Sequence, residues 1–325
     1  MFKKLMAKFG VGAAKVDLKL DRPGYRLGET MTGVVRIEGG NVEQRISDLS
    51  ALLLMRVTLR GQEVTRQVQA FPISRNFTVQ PKPFAQEIPF SFVMPEGLPI
   101  STPAVQYALH TKLDVEMALD PTDFDRVEVL PSEPVERVLK ALDCLNLRQK
   151  SDSGKLTQYG QEFSFFPGVD LGIPLKELEV IFFTAPEELR LLVGLDLASG
   201  LLRRDKEYKA EIVVPQDLLA DGKEEELSRY LIETITGYAN DPQSIPYVSL
   251  ASYQQGQYGQ QGQYGQQGHR GGGMGGMLGG MAAGVLGGML LSDLMSGDEE
   301  MASEDTGDGE GEDMDYDFGG FDEEL

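Results

Sequence analysis

The sequence predicts an all-β chain: two tandem β-sandwich domains with one short amphipathic helix between them, then a C-terminal tail with no fold of its own. Three observations carry this. Apolar residues recur at every second position in many short runs separated by Gly and Pro, the period of strands with one face on a core. One clear run of helical period, after Pro131, interrupts them midway. From Ala251 onward the composition turns to Gln, Gly and Tyr, then Gly and Met, then Asp and Glu. The expected units are residues 1–130, residues 131–250 (opening with a helix over 133–148) and the tail 251–325.

The elements follow in order. Phe2, Leu5, Met6 and Phe9 share one helical face, with Lys3, Lys4 and Lys8 opposite. This reads either as a short arm capping the first domain or as a weak basic anchor on anionic lipid. Val16, Leu18 and Leu20 alternate with Asp17 and Lys19, Asp21-Arg22-Pro23-Gly24 turns, and residues 32–38 alternate again. A long apolar run over residues 49–60 leads through Gly61-Gln62, a two-residue hairpin, into residues 64–70. Ile88, Phe90 and Phe92 then alternate with Pro89, Ser91 and Val93; Pro89 cannot donate to a ladder, which places this run at a sheet edge or a strand start. Pro95 and Pro99 carry the chain out of the sheet, and residues 105–117 and 127–130 complete the first set.

Pro134 fits a first helical turn, with Ser132 as cap and Glu133 near the positive end of the dipole. Val135, Val138, Leu139, Leu142 and Leu145 trace one face up to Arg148, and Cys144 lies opposite it as a plain exposed thiol. Strand runs follow at 161–166, 177–184, 189–197 and 209–214, and residues 221–236 read as a final helix or a helix running into a strand. In the tail, Gln257-Tyr258-Gly259-Gln260-Gln261-Gly262 repeats at once as Gln263 to Gly268, a composition that buries too little apolar surface to offset ordering. Gly276, Gly280, Gly284 and Gly288 are four apart, the spacing that lets helices approach closely, so self-association through this ladder is expected over a membrane span. Tyr316, Phe318 and Phe321 are interleaved with acids at the tip and are candidate partner contacts.

Charge and composition narrow the function classes. The chain has 325 residues, 51 acids, 30 bases and a net charge of −21; residues 251–325 hold fifteen acids against Arg270 alone. Net acidity points away from nucleic-acid backbones, whose binding rests on neutralising phosphates. Cys144 is the sole cysteine, so no internal disulfide forms, and the first residues lack the apolar core of a signal peptide; the cytoplasm is expected, with at most reversible contact at the inner membrane face. Only His110 and His269 could serve Ser–His or Cys–His chemistry; His269 lies in the linker and His110 in a strand run, where a packing role is expected. The densest acidic cluster is Asp114, Glu116, Asp120, Asp123 and Asp125. A metal-assisted hydrolase using it, with Asp120, Asp123 and Asp125 as ligands, is the rival reading, but the spacing is not that of a calcium loop and Asx-stabilised turns explain it better. No phosphate-binding loop appears, so no cofactor and no catalytic residue is assigned.

Several stretches resemble known proteins. The run Phe90-Ser91-Phe92-Val93-Met94-Pro95 with Leu98-Pro99-Ile100-Ser101 resembles the late strand and exit loop of the N-domain in arrestin-like proteins, which bind and organise other proteins. Phe2-Lys3-Lys4 with Gly10-Val11-Gly12-Ala13-Ala14-Lys15-Val16-Asp17, Leu113-Asp114-Val115 with Ala118-Leu119-Asp120-Pro121-Thr122-Asp123, and the Val135, Val138, Leu139, Leu142 helix are similar to the bacterial sporulation-control (stage-zero) family over about residues 1–250. That resemblance implies tandem arrestin-like domains and a regulator or scaffold without catalysis, binding protein partners whose identity the sequence does not name. The acidic tip resembles, in composition only, the protein-recruiting tails of single-stranded-DNA-binding proteins.

Overall fold

Period-two alternation becomes strand wherever the computed structural model describes the chain, which is at residues 13–59, 61–116, 120–185, 188–198 and 206–248. The first half holds β1 (Lys15–Leu20), β2 (Gly24–Arg26), β3 (Thr30–Glu38), β4 (Gln44–Leu59), β5 (Gln62–Val79), β6 (Ala85–Val93), β7 (Val105–Val115) and β8 (Thr122–Leu130). A three-stranded sheet ordered β1-β3-β6 faces a five-stranded sheet ordered β2-β8-β7-β4-β5. Between them lies a core that includes Leu18, Val35, Ile37, Leu53, Met55, Tyr107 and Val127. Apolar area removed from water at about 25 cal/mol per Å² is what holds the two layers together.

Pro89 sits in β6 opposite Val34, at the unpaired margin of its sheet, as its missing N–H requires. Gly33 lies between Leu20 of β1 and Phe90 of β6, and a Cβ there would stand 2.2 Å from the Lys19 carbonyl oxygen and 2.7 Å from the Phe90 ring. The hairpin at Gly61 has φ +82°, the left-handed region glycine enters without a Cβ penalty. β5 continues to Val79, nine residues past the expected end at Ala70. It survives Pro72 because it is an edge strand, and it absorbs the irregularity through register shifts against β4.

The second half holds α1 (Glu133–Cys144), β9 (Leu147–Gln149), β10 (Lys155–Thr157), β11 (Gly160–Pro167), β12 (Leu175–Ala185), β13 (Glu188–Leu197), β14 (Lys206–Val214) and α2 (Glu224–Asn240). Its strands form one antiparallel sheet ordered β10-β11-β12-β13-β14, with β9 also paired to β11. The chain is predominantly β, but here the layer opposite the sheet is helical, where a second sandwich was expected: α1 and α2 cover one face, and of the two readings of residues 221–236 the final helix is the one that forms. Val135, Val138, Ala141 and Leu142 of α1, and Leu227, Leu231 and Ile235 of α2, bury against Phe163, Val180, Phe182, Val193 and Ile212. The buried α2 positions are four apart, so they present one stripe to the sheet.

The expected helix over 133–148 stops early. Asn146 turns left-handed at φ 57°, and Leu147 becomes strand. Ser132 occupies the cap position but its hydroxyl makes no capping bond; Pro134 lies in the first turn with Glu133 and Glu136. Cys144 is exposed. The arm 1–12, the Gly276, Gly280, Gly284 and Gly288 ladder, His269, and the Tyr316, Phe318 and Phe321 tip lie outside the described residues. No helix among the described residues is long and apolar enough to cross a membrane.

Candidate functional site

The Pro-flanked segment after β6 becomes the joint between the two cores. The Tyr107 hydroxyl donates to the Pro99 carbonyl (2.7 Å). Ser101 clips the segment to β8, its N–H donating to the Val129 carbonyl (2.8 Å) while its hydroxyl accepts the Val129 N–H (2.9 Å). Between these anchors Ile100 points into the second core, and in return Leu156 of β10 packs in the first. Leu27 touches both.

Gln161, on β11, locks this exchange. It is fully buried, its side-chain oxygen accepts the Ile100 N–H (2.8 Å), and its amide nitrogen donates to the carbonyls of Ile100 (2.9 Å) and Gly154 (3.0 Å). The acceptor and both donors of the carboxamide are thereby used, so the buried amide carries no unmet hydrogen bond. Thr102 adds a hydroxyl bond to the same Gly154 carbonyl (3.2 Å). Gly154 itself has φ +81°, and a Cβ there would meet Thr102 at 2.3 Å, so close approach and backbone sign both demand glycine. On the far side of the joint Arg26 reaches the Pro131 carbonyl and the Glu136 carboxylate. Lys140 and then Arg26 hold Glu136 below the usual carboxylate range. Gln161 was not a sequence candidate. A glutamine in a strand run carries no signal until the opposing loop is placed.

Of the acidic cluster only Asp123 and Asp125 come together. Asp114 on β7 and Glu116 are exposed, and Asp120 accepts the Val115 N–H (3.0 Å), closing a local turn. Asp123 and Asp125 are strand residues of β8, sharing the face of Val127 and Val129. Asp123 accepts the Leu18 N–H (2.8 Å), which fastens β1 to β8 across the two sheets. Burial, the Asp123 charge and hydrogen bond, and then Asp17 raise the Asp125 carboxyl to about 7. Among the described residues no group of three or more acids, histidines or cysteines is arranged to hold a metal ion. His110 is buried and stacked on Phe124 (4.1 Å, 5°); burial and then Lys112 lower it to about 4, with Asp123 opposing. A neutral, stacked ring of this kind is a packing group.

The strand edges differ in how they are guarded. Two phenols of α2 cover β14: Tyr230 donates to the Val213 carbonyl (2.7 Å) and Tyr238 to that of Glu211 (3.4 Å). β2, β9 and β10 are three residues each, too short to template a partner strand. The long unpaired edges are β5 and β6. On the face of the second-half sheet turned away from the helices, Val248 packs over Ile181 and Leu192.

A family model described as Spo0M, SpoOM protein, matches residues 2–198, a stretch that covers the whole first core and the joint. A sporulation-control protein of Bacillus subtilis (strain 168) is 32% identical over 257 residues, covering 73% of this chain and 98% of its own. The crystal structure of the Bacillus subtilis sporulation control protein superposes with a TM-score of 0.56 at 29% identity, covering 70% of this chain and all of that one.

Proposed function

The chain belongs to the Spo0M family, and from that premise we propose that it is a cytoplasmic, non-enzymatic regulator that works by binding protein partners. The regulatory role follows from the relationship to a sporulation-control protein along nearly the whole of that relative. The joint is the observation that supports a binding mechanism. Gln161, Ser101, Thr102 and Arg26 hold the two cores in one mutual orientation, so both offer their edges and faces to a partner as a single surface. The tail supplies a second contact through Tyr316, Phe318 and Phe321, and tethering raises its effective concentration at a partner already held by the body.

Capture from native lysate with the full chain and with a chain lacking residues 251–325 tests this reading. Specific partners are expected with both, and a subset is lost with the tail. Titration with calcium, magnesium and manganese addresses the metal-hydrolase rival: no micromolar binding is expected, and binding abolished by Asp120→Ala with Asp123→Ala would favour that rival instead.

A further inference from the structure

β1 is the terminal strand of its sheet, so every second backbone N–H along it points away from β3. Two side chains of the facing sheet take N–H groups on that side: Gln44 of β4 at Ala14 (2.7 Å) and Asp123 of β8 at Leu18 (2.8 Å). Gln44 is neutral at every pH. Asp123 is not, and the next residue on its face of β8 is a second carboxyl, Asp125, hydrogen-bonded to it. A hydrogen bond between two carboxyls needs a proton, so the pair that holds Leu18 is also a site that binds one.

The surroundings make that proton hard to do without. Oδ2 of Asp125 is buried with no hydrogen-bond partner, and so is the hydroxyl of Thr111, a fully buried residue of β7 in register with Asp123. Asp125 without its proton therefore places a charge where no donor meets that oxygen. Asp17 of β1 adds a third carboxylate, acting on Asp125 from across the seam. Beside Asp17, Lys19 lies 3.4 Å away, and Arg36, in register with Asp17 on β3, pairs with Glu38 (3.2 Å). Strand alternation puts His110, Lys112 and Arg126 on the opposite face of β7 and β8. Water entering an opened seam satisfies both orphaned oxygens and hydrates the ionised pair, so loss of the proton favours opening.

We propose that Asp123 and Asp125 form a proton-operated latch on β1. With one proton between the two carboxyls, Asp123 holds the Leu18 N–H and the seam between β1 and β8 is shut. When that proton leaves to water, the two carboxylates repel each other and Asp17, and this edge of the three-stranded sheet comes free. The Asp125 carboxyl is raised to about 7 when folded, so opening grows easier from about pH 4 upward and levels off above about pH 7. The latch belongs to the body alone and does not depend on which partners bind it.

Amide hydrogen exchange, read residue by residue by NMR on the full-length chain, tests this. After correction for the intrinsic pH dependence of exchange, the Leu18 opening constant should rise about tenfold between about pH 5 and pH 8; partial exposure of the carboxyl keeps it below the full factor of ten per pH unit. Leu18 should also open far more readily than the core residues Met55 and Leu109, which exchange with the whole fold. Asp125→Asn gives Asp123 an amide donor that no pH removes, so the rise should vanish in that variant. The ratio of parent to variant is the readout, because the penalty for protonating His110 on the opposite face is common to both. A ratio independent of pH overturns the latch. So does a Leu18 amide that exchanges only as slowly as Met55 and Leu109 at every pH, a result the parent gives without any variant.

Discussion

Replacing Gln161 by leucine removes three hydrogen bonds at a fully buried position while nearly keeping the side-chain volume. The Gly154 carbonyl keeps the Thr102 hydroxyl, so the groups left without a partner are the Ile100 N–H and C=O. An orphaned buried polar group costs about 1–3 kcal/mol, which puts the substitution at about 2–5 kcal/mol. For a folded body of this size that is a fall in Tm of about 5–15 °C. The loss falls on the contact between the cores and not inside either one. Calorimetry should therefore show one cooperative transition for the unsubstituted protein and two separated transitions for Gln161→Leu, with the joint no longer coupling the units. A variant that melts in one step within about 1 °C of the parent would refute the assignment of Gln161 as the lock.

Other outcomes follow from the same packing. Asp125 has a raised folded pKa, so its contribution is full below about 4 and is lost as pH rises through about 7. His110 has a lowered folded pKa, so its penalty appears as pH falls from 6.5 toward about 4; across that window the two oppose each other. Asp125→Asn should therefore gain about 1–2 kcal/mol on the parent between about pH 5 and pH 8 in urea melts, a value discounted for the partial exposure of the carboxyl; an unchanged pH profile would sink the assignment. Gly33→Ala drives a methyl into the Lys19 carbonyl, a backbone atom that no rotamer change moves, and should cost about 2–3 kcal/mol by denaturant midpoint; a loss below about 0.5 kcal/mol would contradict the packing of β1 on β3. Tyr230→Phe uncaps the Val213 carbonyl on β14, at about 0.5–1.5 kcal/mol, and together with Tyr238→Phe should promote edge-to-edge association in sedimentation runs; a strictly monomer-like profile at high concentration would argue against the phenols as edge guards.

Much of the fold was legible because strand period and proline placement are local signals. Ile88, Phe90 and Phe92 alternate with a proline that only an edge tolerates, and Val135 to Leu142 follow a proline fit for a first turn. The misses have physical causes. β2, β9 and β10 are too short to show a period, and Leu145 fits the α1 stripe although Asn146 turns the chain immediately after it. α2 read only as a final helix or a helix running into a strand, because its packing against α1, where the Ser228 hydroxyl donates to the Ala141 carbonyl (3.3 Å), joins positions 87 apart. Asp123 and Asp125 read as a turn because acids in a strand facing the seam between two sheets are rare. Their role appears only when Leu18 is brought beside them. The joint was half legible: the sequence marked Pro95 to Ser101 as special, and only the fold supplied Gln161 as its partner.

The central claim is that body and tail engage one partner together. The most direct measurement is the dissociation constant of a captured partner for the full chain, for the chain lacking residues 251–325, and for a peptide spanning residues 298–325. Tethered bivalency predicts that the full chain binds on the order of 10²-fold tighter than either part alone, with the gain lost when Tyr316, Phe318 and Phe321 are replaced by serine. Equal affinity for the full and tail-less chains, with no binding by the peptide, would contradict it.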